Sequence, residues 1–295
     1  MDLFEPELVL ARIKKNKPAE LDIEENKVQC KQCQDRGIYM ENDFAVQCNC
    51  VKQKSLQKKF ANCQIPESML NNTFEKFNFD YYSKDKSPAE FDDLNTSYHI
   101  VALKSYDRAK RFAESYVKEK AKQGLYIYGP VGSGKTFLAC CIANYILKKS
   151  DRELLFLIIP EFLQRLKSTY NKNNAESEFS LIERASNVPL LFMDDLGAHN
   201  YTDWTINIIY NILNYRVNHN LPVVITSNLS IDMNLDDEKD TSELGRLLNK
   251  RIASRIGELC MPLYLGSHGD IRYKLLEKRK EAMMLNEQKR LGKLK

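Results

Sequence analysis

The sequence predicts an α/β fold, a parallel sheet with helices on both faces, on three observations. From about residue 98 onward, short apolar runs of strand length alternate with segments of helical length. One of those runs, residues 125–128, leads directly into GPVGSGKT, Gly129 to Thr136, and that loop opens a helix-patterned stretch. A third run, residues 190–193, ends in the paired acids Asp194 and Asp195. Strands separated by helices are joined by crossovers rather than hairpins, which makes the sheet parallel and buries both of its faces.

Taken in order, residues 5–15 carry apolar positions at Leu8, Leu10 and Ile13, a short amphipathic helix followed by a charged linker at 16–27. A cysteine-rich module spans 28–51. Residues 52–62 are basic and helix-permissive, and that helix stops before Ile65-Pro66. Residues 71–98 mix Asn, Asp, Ser and Pro with Phe74, Phe77, Phe79, Tyr81 and Tyr82, which predicts an irregular arm docked on the α/β domain. Then come a long helix (98–123), strand 125–128, the glycine loop with a helix to 148, and strand 154–159. Helices at 161–170 and 178–186 lead to strand 190–193, helix 204–217 and strand 223–226. Helix 243–256, strand 261–264 and one last helix complete the pattern. The expected division is 1–65 for the cysteine-bearing domain, 66–97 for the arm and 98–295 for the α/β domain.

An apolar fraction of 43% and a charged fraction of 28% are ordinary for a globular chain, and no stretch approaches the roughly 18 apolar residues of a membrane span. The start, MDLFEPELVL, places acids ahead of any base, unlike a signal peptide, so the expected location is the cytoplasm, with no membrane association. Net charge is +4, too small to demand a nucleic-acid partner. The stretch from Lys274 is basic, and a solvated helix accounts for it as well as a phosphate-contacting one does.

The glycine loop is the strongest chemical signal. A glycine-rich turn between a buried strand and a helix N-terminus directs main-chain N–H groups at an anion. All eight positions, Gly129, Pro130, Val131, Gly132, Ser133, Gly134, Lys135 and Thr136, therefore form a candidate ATP or ADP cradle. Lys135 reaches the outer phosphates and Thr136 offers a hydroxyl to Mg²⁺. Asp194 at the tip of its strand would hold the same metal, and Asp195 would polarise the attacking water. Asn228, at the end of the next strand, would orient water or read a phosphate; a turn or cap role is the alternative. Arg251 and Arg255, four apart on a helix, share a face that meets a neighbouring subunit or simply solvent. Cys30, Cys33, Cys48 and Cys50, as C-x2-C and C-x-C, suit one tetrahedral Zn²⁺ of structural type, with Cys63 as a substitute ligand and an iron–sulfur cluster or free thiols as alternatives.

These blocks together resemble the DnaC/DnaI family of bacterial replicative helicase loaders, AAA+ ATPases. The resemblance is carried by CQDRGIYM and CNCVKQK, ANCQIPESMLNNTFEKF, GPVGSGKTFLACCIAN with FMDDLG, ITSN, RIASRI and GDIRYK, and it covers nearly the whole chain. It implies a five-stranded sheet in the order 5-1-4-3-2 without a full lid, beside a small helical zinc-binding domain. It implies weak, switch-like ATP hydrolysis, and binding of a hexameric DnaB-type helicase for delivery to single-stranded DNA. Self-association through the ATP sites and contact with the DnaA initiator are further implied partners. By position it makes Asn228 a first sensor, Arg255 an arginine finger and Arg272 a second-sensor-like arginine. It also assigns DNA contacts to Lys167, Tyr170, Thr202 and Trp204, although Tyr170 and Trp204 suit a core equally well. An IstB-type transposition ATPase acting on duplex DNA shares the same core and is the rival resemblance.

Overall fold

The computed structural model describes residues 30–88, 96–168, 177–198, 201–231 and 243–290. The chain divides into two compact units at Ser55/Leu56. The helix expected at 5–15 and the linker after it lie outside the described residues.

In the first unit the cysteines bracket a β-hairpin, β1 (Ile38–Glu41) against β2 (Phe44–Gln47), with Tyr39 opposite Val46. The expected zinc-binding domain was helical; its helix at 52–62 is present, and this hairpin is an element the sequence reading did not include. Its two-residue turn is Asn42-Asp43, both at positive φ (48° and 62°), the mirror-image turn that matches strand twist. Asn-Asp is a weaker signal for that turn than Asn-Gly, which is why the pattern was not legible. Helix α1 (Asn49–Cys63) begins at once after β2.

In the second unit β3 (Gly124–Tyr128), β4 (Leu154–Ile158), β5 (Leu190–Leu196), β6 (Val223–Ser227) and β7 (Cys260–Tyr264) form one parallel sheet, ordered β4-β5-β6-β3-β7. Numbered from β3, that is the expected 5-1-4-3-2. Helix α2 (Tyr98–Val117) precedes β3, the connecting helices are α3 (Lys135–Lys149), α4 (Ile159–Ser168), α5 (Glu178–Asn187), α6 (Asp203–Asn218), α7 (Glu243–Leu248) and α8 (Lys250–Leu259), and α9 (Ile271–Arg290) follows β7. Successive strand residues point to opposite faces and so serve two separate cores. Ile127, Phe156 and Phe192 pack with Leu138 and Ile142 of α3 on one side. Tyr126, Leu191 and Ile225 pack with Leu163, Ile209 and Ile252 on the other.

Several boundaries differ from the pattern for local reasons. Helix α2 stops at Val117 because Glu119 turns left-handed (φ 61°), and the Lys120 N–H then closes on the Ser115 carbonyl. The helix expected over 243–256 is two helices. Asn249, at φ 99°, accepts the Ile252 N–H on its side chain (3.0 Å) and starts α8 afresh.

The arm is built from three short 3₁₀ turns, Glu67–Met69, Phe74–Lys76 and Phe79–Tyr81. Phe74, Phe77 and Tyr82 are buried, and Tyr106 of α2 meets both Phe74 and Phe77 at 5.4 Å between ring centres. Asn144, fully buried on α3, donates to the carbonyls of Met69 (3.0 Å) and Asn72 (2.7 Å) and so ties the arm down. At the opposite end of the strands, Arg216 is fully buried and donates to the carbonyls of Ala185, Ser186, Val188 and Pro222. Burial lowers its pKa to about 10. Among the described residues no helix is long and apolar enough to cross a membrane.

Candidate functional site

The loop between β3 and α3 has its carbonyls engaged from several directions. Lys135 Nζ donates to the carbonyls of Gly129 (2.9 Å) and Pro130 (2.7 Å). The Ile271 N–H donates to Gly132 O (3.0 Å), and the Tyr82 hydroxyl donates to Ser133 O (2.9 Å). With these acceptors taken, N–H groups are what the loop offers an anion. Gly129, at φ 145°, lies so close to the Leu265 carbonyl that any side chain would collide with it.

Lys135 is buried, and that burial pushes its pKa down to about 8, against the opposing pull of Asp195 and Asp194. The Thr136 hydroxyl lies 2.9 Å from Asp194 Oδ1. Two oxygens at that separation match an edge of about 3.0 Å in an octahedral Mg²⁺ shell, so these residues fit the metal that the sequence pattern implies. Asp194 also accepts a hydrogen bond from Thr226 Oγ1 at 2.6 Å. Its pKa is raised, burial outweighing both hydroxyl contacts.

Adjacent residues of a regular strand cannot face one cavity, yet Asp194 and Asp195 both line the same one. The reason is a register shift in β5 between Met193 and Leu196, together with a left-handed Asp195 (φ 61°). Thr226 holds this irregularity: its Oγ1 accepts the Asp195 N–H (2.9 Å) while donating to Asp194. Sequence reasoning missed Thr226. Its only signal was a hydroxyl directly after the apolar run Val223-Val224-Ile225.

The cavity measures about 870 Å³. Lys135, Thr136, Asp194, Asp195, Asn228 and Arg272 converge on it, whereas Phe77 and Tyr81 of the arm and Leu275 of α9 supply an apolar wall. Other expected residues stand apart from it. Arg255, on α8, is paired with Glu258 at 3.0 Å. Arg251 is exposed on the same helix. Lys167 is exposed in the last turn of α4. Thr202 caps α6 in a reciprocal box with Thr205, and Trp204 packs, partly buried, against the second core. Tyr170 lies outside the described residues.

In the first unit the Cys30, Cys33, Cys48 and Cys50 sulfurs all lie within 4.8 Å of one another. The Cys30–Cys48 and Cys33–Cys50 pairs are 3.6 and 3.3 Å apart. Four thiolates about 2.3 Å from a tetrahedral Zn²⁺ would be roughly 3.8 Å apart, so the set fits zinc. Main-chain N–H groups of Cys33 and Gln32 lower the Cys30 thiol to about 6, while its hydrogen bond with Cys33 raises Cys50 to about 12. Cys63 belongs to the second unit, where its thiol donates to the Phe60 carbonyl, and it is not a substitute ligand.

Residues 108–252, just under half of the chain, match the family described as IstB-like ATP binding protein. Three relatives extend the likeness. YqaM, an uncharacterized protein of Bacillus subtilis (strain 168), is 27% identical over 241 residues, covering 80% of this chain and 67% of its own length. The replicative helicase loader DnaI of the same organism is 27% identical over 182 residues, 61% of this chain and 51% of DnaI. The replicative helicase loader DnaC of Buchnera aphidicola subsp. Baizongia pistaciae is 26% identical over 206 residues, 70% of this chain and 71% of DnaC. The DnaI and DnaC loaders are thus homologues of this chain, whose match spans about half of DnaI.

Proposed function

We propose that the chain is a cytoplasmic, ATP-dependent helicase loader, which binds a hexameric DnaB-type replicative helicase through its cysteine-bearing N-terminal region and delivers it to single-stranded DNA. The observation that carries this reading is the convergence of Lys135, Thr136, Asp194 and Asp195 on one cavity, in a chain whose relatives include DnaI and DnaC. ATP would lie on the loop N–H groups, with Lys135 at its outer phosphates. Thr136 and Asp194 would hold Mg²⁺, which supplies charge neutralisation between the phosphates. Asp195 would polarise a water, Asn228 would orient it, and Arg272 would approach the phosphates from the start of α9. Arg255 would complete the site of a neighbouring copy, so turnover would be slow in isolation and would act as a switch. Zn²⁺ on Cys30, Cys33, Cys48 and Cys50 would be structural, since four sulfurs leave no open position. Lys167, Tyr170, Thr202 and Trp204 remain the proposed contacts to single-stranded DNA, and the DnaA initiator a further partner.

The test is co-purification of this chain with the host's hexameric helicase in ATP or ADP, followed by mass determination. A complex that survives Lys135→Ala and is lost on deleting residues 1–65 is the expected result. The match to the IstB-like family favours a second reading, a transposition ATPase on duplex DNA with a transposase partner. No helicase complex, together with assembly on duplex DNA, would select it.

A further inference from the structure

Beside the nucleotide cavity, next to its lining residues Ile271 and Arg272, stands one acid that the proposed chemistry does not use. Asp270 immediately precedes α9, and its carboxylate lies against the phosphate loop, so close that a methyl group on Gly132 (φ 72°) would collide with it. The next residue, Ile271, donates its N–H to the Gly132 carbonyl at 3.0 Å. Asp270 Oδ1 accepts the Arg272 N–H at 2.8 Å, capping α9, and lies 3.8 Å from Arg272 Nε. The Arg272 side chain is itself 74% exposed. Farther along α9, Lys274 Nζ donates to the Tyr81 carbonyl (2.9 Å), and Lys278 Nζ lies 4.9 Å from the Tyr81 ring centre. The first turn of α9 is therefore seated on the loop, and the next turns on the arm.

That seat places a negative charge on the outer side of a loop whose inner side is built to hold negative charge. Phosphate on the loop repels Asp270 and attracts Arg272, and both forces act on the same helical turn. We infer that Asp270 is a charge-sensing positioning residue, through which the phosphate charge held by the loop sets the seat of α9. This rests on the nucleotide reading above. Asn and Asp are equivalent as helix caps, so Asp270→Asn keeps the cap and the volume while deleting the charge.

The test titrates the full chain and its Asp270→Asn variant with fluorescent ATP and ADP analogues in Mg²⁺, and follows hydrogen exchange of the amides at 271–278 with and without nucleotide. The expected result is triphosphate binding about fivefold tighter or more in Asp270→Asn, from removal of one close like charge. The gain for the diphosphate is smaller, and the nucleotide-induced change in α9 exchange shrinks. Asp270→Ala, which also loses the cap, lowers α9 protection even without nucleotide and so separates capping from charge. If Asp270→Asn binds both nucleotides as the parent does, with the α9 response intact, or binds them more weakly, the inference is overturned and the nucleotide reading stands. If the parent chain binds neither nucleotide, that reading falls and takes the inference with it.

Discussion

At the scale of residues, the state of Lys135 makes nucleotide binding pH-dependent with a definite sign. Its pKa is about 8 in the structure, and phosphate favours its charged form. Binding therefore takes up a proton above about pH 8, and affinity falls as pH rises through that value while staying flat below it. Calorimetry in buffers of different ionisation enthalpy reads the uptake, and Lys135→Ala removes the slope. Thr226→Val deletes the hydroxyl shared by Asp194 and the Asp195 N–H, leaving both short of a partner. We expect a loss of about 1–3 kcal/mol in a denaturant melt, together with reduced turnover. Lys135, Thr136 and the two acids were legible because their chemistry dictates residue types at fixed spacing. Thr226, Tyr82 and Asp270 were not, because each reaches the site through a tertiary contact that no local spacing encodes.

At the scale of elements, the arm is held by buried polar bonds as much as by its aromatic rings. Asn144→Leu removes two hydrogen bonds to arm carbonyls whose residues, Met69 and Asn72, also line the nucleotide cavity. The variant should lose about 2–3 kcal/mol in thermal or chemical unfolding, and nucleotide affinity should fall with it, measured by titration well below the melting midpoint. Continuous apolar runs revealed every strand of the parallel sheet to within a few residues, since strands buried on both faces have little choice of composition. The hairpin went unread because Ile38, Met40 and Phe44 are exposed and show no burial-driven alternation. The acids of β5 were expected just past a strand end, whereas the bulge keeps them inside it.

At the scale of the whole molecule, two compact units imply two separable losses. If zinc holds the four cysteines, a strong chelator should unfold the first unit, seen as exposure of those thiols to a chromogenic reagent, while nucleotide affinity stays within about twofold. The four cysteines were readable as one cluster because ligand spacing is local. The exclusion of Cys63 needed the fold, since only the structure puts it in the other unit. The buried Arg216 carries a consequence for the order of assembly. Its guanidinium sheds water only when the end of α5 and the residues leading into β5 and β6 are all in place to offer their carbonyls. We expect contacts that draw on three segments at once to form on the native side of the folding barrier. Arg216→Met should therefore speed unfolding in stopped-flow experiments and leave the refolding limb nearly unchanged, so that this cation acts as a late lock on the sheet.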